Sequence, residues 1–100
     1  MSGVQLYISS VSASREIRSQ QSEVERVLDI KKIKYKRIDI SVSETLLEEM
    51  RGRTANPTAL PPQIFNEDSY CGDYSQFYDA VEDDEIDHFL KLRETEQQRL

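Results

Sequence analysis

This 100-residue sequence contains one thiol, that of Cys71, and one imidazole, that of His88. Thiol chemistry requires the thiolate, which a helix N-terminus or a nearby cation favours. Cys71 has no second cysteine to pair with and no histidine close to it in the sequence. Because free cysteine is among the most buried residue types, we interpret Cys71 as a packing residue. A regulatory or glutathionylated thiol is the alternative.

Other kinds of chemistry are not indicated. The sequence has no cluster of cysteine and histidine with metal-ligand spacing, and no glycine-rich loop of the phosphate-binding kind. We therefore expect neither a metal site nor a cofactor. A single cysteine cannot form an internal disulfide, which favours a reducing compartment and predicts a cytoplasmic, and also a nuclear, location.

The net charge of −6 limits the classes of partner. An acidic chain is repelled by phosphate backbones and by anionic membranes, so we expect no nucleic-acid or membrane binding. The basic run over residues 31–37 is interpreted as a solvated edge, and polyanion binding is the alternative. No apolar stretch approaches the roughly 20 residues that cross a bilayer.

The spacing of apolar residues predicts the elements that must position any site. Alternation over residues 4–8 predicts a strand, and helical spacing predicts a helix from Arg15 to about Asp29. A second strand is predicted over 35–40. A capping box of Ser41 and Glu44 should then begin a helix that ends near Gly52.

The second half of the sequence predicts a hairpin and two helices. Residues 63–66 should form a strand that pairs with Tyr70 and Cys71, and Gly72 should end that hairpin. Asp73 and Gln76 match another capping box, before helical spacing over 77–81 and 86–90. The order β-α-β-α-β-β-α-α predicts an α/β fold with a mixed four-stranded sheet flanked by helices, which is the thioredoxin-like (glutaredoxin-like) arrangement. We assign residues 1–92 to this domain and 93–100 to a C-terminal tail.

Two segments, residues 14–24 and 60–74, resemble the SH3-domain-binding glutamic-acid-rich-like family, over about residues 1–92 in all. That family is similar to glutaredoxins, which carry Cys-X-X-Cys where the first strand meets the first helix. The corresponding residues here contain no sulfur; they include Ser10, Ser12, Ser14 and Arg15. A serine hydroxyl cannot form a mixed disulfide, so the resemblance implies a protein that is not a redox enzyme.

The resemblance also implies that part of the glutathione groove persists. Pro62 matches the cis-proline of glutaredoxins and Gln63 follows it. Gly72 and Asp73 match the helix start that receives a carboxylate of glutathione. These residues are interpreted first as maintaining the fold, and residual glutathione binding is the alternative.

The segment from Pro61 through Pro62, Gln63 and Ile64 to Phe65 contains a Pro-Pro-X-X-Phe pattern, which Homer-type domains recognise. Pro-X-X-Pro, the SH3 ligand pattern, is not intact. We interpret the segment as a turn before a core strand. Recognition by a proline-binding domain, through the Pro61–Pro62 corner or after local unfolding, is the alternative.

The resemblance implies a non-catalytic protein that modulates glutaredoxin activity by binding proteins, among them glutaredoxin clients. We expect it to be a monomer. The alternative function is an adaptor in signalling or at the cytoskeleton that uses the proline segment. A third hypothesis is residual thiol chemistry at Cys71.

Overall fold

The computed structural model describes residues 3–92, which form four strands and four α-helices. The elements are, in chain order, β1 (Val4–Ile8), α1 (Arg15–Ile30), β2 (Tyr35–Asp39), a short 3-10 helix (Ile40–Val42), α2 (Glu44–Thr54), β3 (Gln63–Asn66), β4 (Ser69–Asp73), α3 (Tyr74–Glu82) and α4 (Ile86–Phe89). The predicted order of strands and helices is confirmed. The 93–100 tail lies outside the described residues.

The four strands form one mixed sheet in the order β2-β1-β3-β4. β2 runs parallel to β1, with Val4 opposite Tyr35 and Ile8 opposite Asp39, whereas β3 and β4 are antiparallel to their neighbours. The helical crossover α1 makes the parallel pair and a tight turn makes the β3–β4 hairpin. The carboxyl ends of β1 and β2 therefore lie at one edge of the sheet, beside the start of β3.

Alternating side chains of β1 divide the core into two clusters on opposite faces of the sheet. The larger cluster joins the sheet to α1, α3 and α4; its buried members are Val4, Leu6, Ile8, Val24, Leu28, Ile64, Phe77, Ala80, Ile86 and Leu90. The smaller cluster lies under α2 and consists of Tyr7, Met50, Ala59 and Phe65. Strand β3 contributes Ile64 to one cluster and Phe65 to the other, so its side chains hold the two faces together.

The start of α2 differs from the prediction. Ser41 belongs to the 3-10 helix, and the N-cap of α2 is Ser43, whose hydroxyl accepts from the Thr45 N–H at 3.2 Å. The reason is Asp39, which caps the 3-10 helix and binds Ser41 itself. The predicted end near Gly52 was also too early, because the helix continues to Thr54.

The prediction that Gly72 ends the hairpin is wrong, because Gly72 lies inside β4. Its φ of 149° falls in the region that favours glycine. A β-carbon there would lie 2.6 Å from Gln76 Oε1 and 2.9 Å from a ring carbon of Phe89. The register also shifts here, since Ile64 lies opposite Gly72 but Phe65 lies opposite Tyr70. Glycine is thus required by a bulge that brings the strand close to α3 and α4.

Candidate functional site: a cleft beside the cis-proline

The β1–α1 loop, where a glutaredoxin carries its cysteines, is organised by serine hydroxyls. Ser14 is the N-cap of α1 and accepts from the Ile17 N–H at 3.2 Å. The Ser12 hydroxyl accepts from the Ser14 N–H, and the Ser12 carbonyl accepts from the Arg18 guanidinium at 2.9 Å. Arg15 is exposed at the first turn. The hydroxyls therefore cap a helix and order a loop, which is the usual role of serine at such a position.

Ser10 is bound to the last residue of β2 and does not line the cleft beside the cis-proline. Its N–H donates to Asp39 Oδ1 at 3.1 Å, and the same oxygen accepts from the N–H and hydroxyl of Ser41. Desolvation raises the pKa of Asp39, but these hydrogen bonds outweigh it and leave the pKa well below its usual range. Asp39 is consequently a charged clamp that joins the loop to the 3-10 helix. This role was not predicted from the sequence, although an aspartate at the end of a strand, just before a helical turn, is typical of a cap.

A second clamp comes from α1. Gln21 is 7% exposed. Its side chain accepts from the Ser9 N–H at 2.8 Å and donates to the Ser9 carbonyl at 3.2 Å. Because both backbone groups of Ser9 are satisfied in this way, the buried glutamine takes the place of a strand neighbour. The spacing of Gln21 on the apolar face of α1 was the only sequence signal for it.

A cleft of about 380 Å³ lies between the first turns of α1 and α3 and the segment before β3. The residues that line it are Glu16, Ile17, Gln20, Asn56, Thr58, Ala59, Leu60, Pro61, Pro62, Gln63, Asp73, Tyr74 and Ser75. Of the predicted groove residues, Pro62, Gln63 and Asp73 are therefore brought together. Ser10, Ser12, Ser14, Arg15 and Gly72 do not line the cleft. Glu16, Leu60 and Tyr74 do, and the sequence analysis had not singled them out.

The Pro61–Pro62 peptide bond is cis, as the sequence analysis expected. All five residues of the Pro61–Phe65 segment are buried, and Phe65 is 1% exposed. Gln63 donates to the Leu60 carbonyl at 2.7 Å and accepts from the Tyr70 hydroxyl at 2.6 Å. An SH3 or Homer-type domain could reach these side chains only if the segment first left the sheet. In the folded protein the segment presents only its edge, to the cleft.

The start of α3 has the predicted capping box. Gln76 donates its N–H to Asp73 Oδ1 at 3.1 Å, and the Gln76 side chain accepts from the Asp73 N–H at 3.1 Å. These bonds satisfy two of the N–H groups with which a helix start could hold an anion. They also place the Asp73 carboxylate where the resemblance put a carboxylate of glutathione. That end of the cleft thus already holds a negative charge of the protein itself.

Cys71 is half-buried in β4 and does not line the cleft. Burial raises the pKa of its thiol to about 11, and the nearby Lys91 only partly opposes this. The thiolate is therefore a very small fraction at neutral pH, which is typical of a packing cysteine and not of a nucleophile.

The opposite face of the sheet carries a separate polar group beneath α2. The Tyr7 hydroxyl donates to Glu49 at 2.9 Å and accepts from the Arg53 guanidinium at 3.1 Å. That guanidinium also lies 4.1 Å from the centre of the Phe65 ring and binds the side chain of Gln5 and the carbonyl of Glu67. Since the Tyr7 hydroxyl and both terminal nitrogens of Arg53 have partners inside the protein, we interpret this cluster as structural.

Residues 3–92 show neither a metal-ligand cluster nor a membrane-spanning helix. No three side chains of histidine, cysteine, aspartate or glutamate are grouped so that they could hold a metal ion there. Across the same residues, no helix is both long and apolar enough to span a bilayer.

Solved structures share this architecture. The C. albicans actin interacting protein Aip5 superposes with a TM-score of 0.71 at 21% identity, covering 89% of this chain and 88% of that one. Buckwheat glutaredoxin, in its glutathione complex, gives a TM-score of 0.67 at 13% identity over 90% of this chain and 77% of that one. The fold and the cis-proline cleft thus define a glutaredoxin-like protein of the thioredoxin fold that has no cysteine at its β1–α1 junction.

The family is given by the sequence. Residues 2–93 match the family described as SH3-binding, glutamic acid-rich protein, and the chain belongs to it. The SH3 domain-binding glutamic acid-rich protein homolog of Drosophila melanogaster is 39% identical over 101 residues, which cover 89% of this chain. The match spans 64% of that relative's length.

Proposed function

We propose that this protein is a non-catalytic binding module that modulates glutaredoxin activity by occupying the segments of client proteins that a glutaredoxin would bind. The observation that carries the proposal is the open cleft beside Pro62, at the place where a glutaredoxin binds its substrate, in a chain without sulfur at the adjoining helix start. Such a cleft can hold a client but cannot exchange a disulfide with it.

The apolar rim of the cleft supports a protein partner. Leu60 lines the cleft and is 57% exposed, beside Ile17 of α1. A large exposed apolar side chain next to a concave surface is typical of a docking site for another chain. The name of the family refers to the binding of SH3 domains, which is a protein–protein interaction.

The test is a glutaredoxin reaction with a glutathionylated protein as its substrate. Excess of this protein should lower the rate at limiting substrate, and should leave the rate with a small disulfide substrate unchanged. Leu60→Asp should abolish the inhibition. Val42→Asp, at a residue that is 72% exposed and away from the cleft, should preserve it.

Two results would contradict the proposal. One is reductase turnover by this protein alone that is lost in Cys71→Ser, which would make it an enzyme. The other is equal inhibition by the wild type and by Leu60→Asp, because the cleft would then have no part in the effect.

A second candidate function is an adaptor at the actin cytoskeleton, which the likeness to an actin interacting protein favours. Cosedimentation of the purified protein with actin filaments tests it directly. Binding that survives Leu60→Asp would assign this activity to a surface other than the cleft.

A further inference from the structure

The charged side chains that line the cleft are acidic. Glu16 and Asp73 line it, and none of its described lining residues is lysine, arginine or histidine. Glutathione carries two carboxylates against one ammonium group, so its net negative charge would lie in a field of negative charge within a protein of net charge −6.

Several donors around the proline corner are already occupied. Pro61 and Pro62 have no N–H group, so these two residues can only accept hydrogen bonds. The Gln63 side-chain N–H group is bound to the Leu60 carbonyl. The N–H groups of Asp73 and Gln76 are bound within the capping box. An anion at this end of the cleft would therefore find these donors bound within the protein.

The same groups suit a cation that carries an apolar stem. Tyr74 also lines the cleft, and aromatic faces attract ammonium and guanidinium groups. Ile17 and the exposed Leu60 can cover the methylene groups of a long basic side chain or an adjoining aliphatic residue.

We propose that the cleft binds an extended peptide segment in which a lysine or arginine stands next to a large aliphatic residue. The cation lies between the carboxylates of Glu16 and Asp73, and the aliphatic side chain packs on Leu60 and Ile17. This inference rests on the proposed function, because it names the kind of peptide that would occupy the same cleft.

The test uses a capped seven-residue peptide with one arginine between two leucines, followed by fluorescence anisotropy. The matched control peptide has citrulline, the uncharged isostere of arginine. The arginine peptide should bind at least tenfold more tightly than the citrulline peptide, and its affinity should fall as salt is added. Reduced glutathione should bind more weakly than the arginine peptide.

Charge removal in the protein completes the test. Glu16→Gln together with Asp73→Asn should weaken the arginine peptide about tenfold and leave the citrulline peptide unchanged. Asparagine caps a helix as well as aspartate does, so α3 should keep its start, and circular dichroism would check this. Asp79→Asn, an exposed aspartate elsewhere on α3, is the matched control and should change neither peptide's affinity.

Equal affinities for the two peptides, or tighter binding of glutathione, would overturn the inference, as would no peptide binding at millimolar concentration. The outcomes separate it from the proposed function. Arginine-dependent binding without an effect on glutaredoxin would leave the inference standing and overturn the function. Full inhibition of glutaredoxin by the Glu16→Gln, Asp73→Asn variant would support the proposed function and overturn the inference.

Discussion

The β1–α1 loop and the cis-proline corner lie at the same end of the sheet, but different interactions stabilise them. The loop is mostly exposed, with Val11 at 74%, and side-chain hydrogen bonds from Asp39 and Gln21 hold it. The corner is buried, and apolar packing around Phe65 holds it together with the bonds of Gln63.

This difference explains how the chemistry can be absent while the shape persists. The loop contributes little apolar surface, so replacing a cysteine there by a small polar residue costs the fold little. The corner leads directly into β3, which contributes Ile64 to one core cluster and Phe65 to the other, so its conformation is tied to the stability of the whole domain.

The largest expected effect in this comparison is that of Phe65→Ala. Phe65 contacts the Tyr7 ring at 5.2 Å between ring centres and the Tyr70 ring at 5.1 Å, and Arg53 packs over it. Truncation should lower the free energy of unfolding by about 3–5 kcal/mol, the usual cost of emptying a large aromatic site. Chemical denaturation would measure it.

The matched substitution in the loop is Val11→Ala, which should change the free energy of unfolding by less than about 0.5 kcal/mol. A cost below about 1 kcal/mol for Phe65→Ala would show that the corner is not held by the core, and the contrast between the two regions would fail.

A second prediction concerns the reactivity of Cys71, the one thiol that could act as a nucleophile in place of the missing loop cysteines. With its pKa raised to about 11 from 9.0, the folded protein should react with iodoacetamide about 100-fold more slowly at pH 7 than an unperturbed cysteine. The rate should rise about tenfold with each pH unit up to about 11. The same protein in denaturant, with the thiol exposed, is the control; fast reaction of the folded form at neutral pH would revive the hypothesis of a functional thiol.

A smaller loss of stability than that of Phe65→Ala is expected at the loop's charged clamp. The folded-state pKa of Asp39 lies below the unfolded value, so the clamp's contribution to stability is fully present above about pH 4. It is lost as the pH falls through the folded-state pKa. Asp39→Asn should therefore cost about 1 kcal/mol at neutral pH, as expected for a largely solvent-accessible charged hydrogen bond.

Thermal unfolding of wild type and Asp39→Asn should converge as the pH is lowered below about 4. Asp79→Asn should match the wild type in this series. A difference between wild type and Asp39→Asn that grows toward low pH would mean that the carboxylate is not what the serine hydroxyls bind.

The sequence by itself determined the order of elements, the capping box at Asp73, the two faces of β1 and the absence of sulfur at the β1–α1 junction. These depend on periodicity, on caps and on residue identity, all of which act over a few neighbouring positions. The predicted start of α2 was wrong because two serines, Ser41 and Ser43, could each be its N-cap. Asp39 binds Ser41 into the 3-10 helix, which leaves Ser43 as the N-cap.

Only the tertiary structure decided the composition of the cleft. Glu16 and Asp73 lie far apart in the chain and line the same cleft because α1 and α3 both begin at the same end of the sheet. The burial of the Pro61–Phe65 segment, and the binding of Ser10 by Asp39 instead of by the cleft, were likewise decided there. Such juxtapositions are set by strand order and helix packing, which no local pattern encodes, so the sequence indicated a groove and the fold gave it its acidic charge.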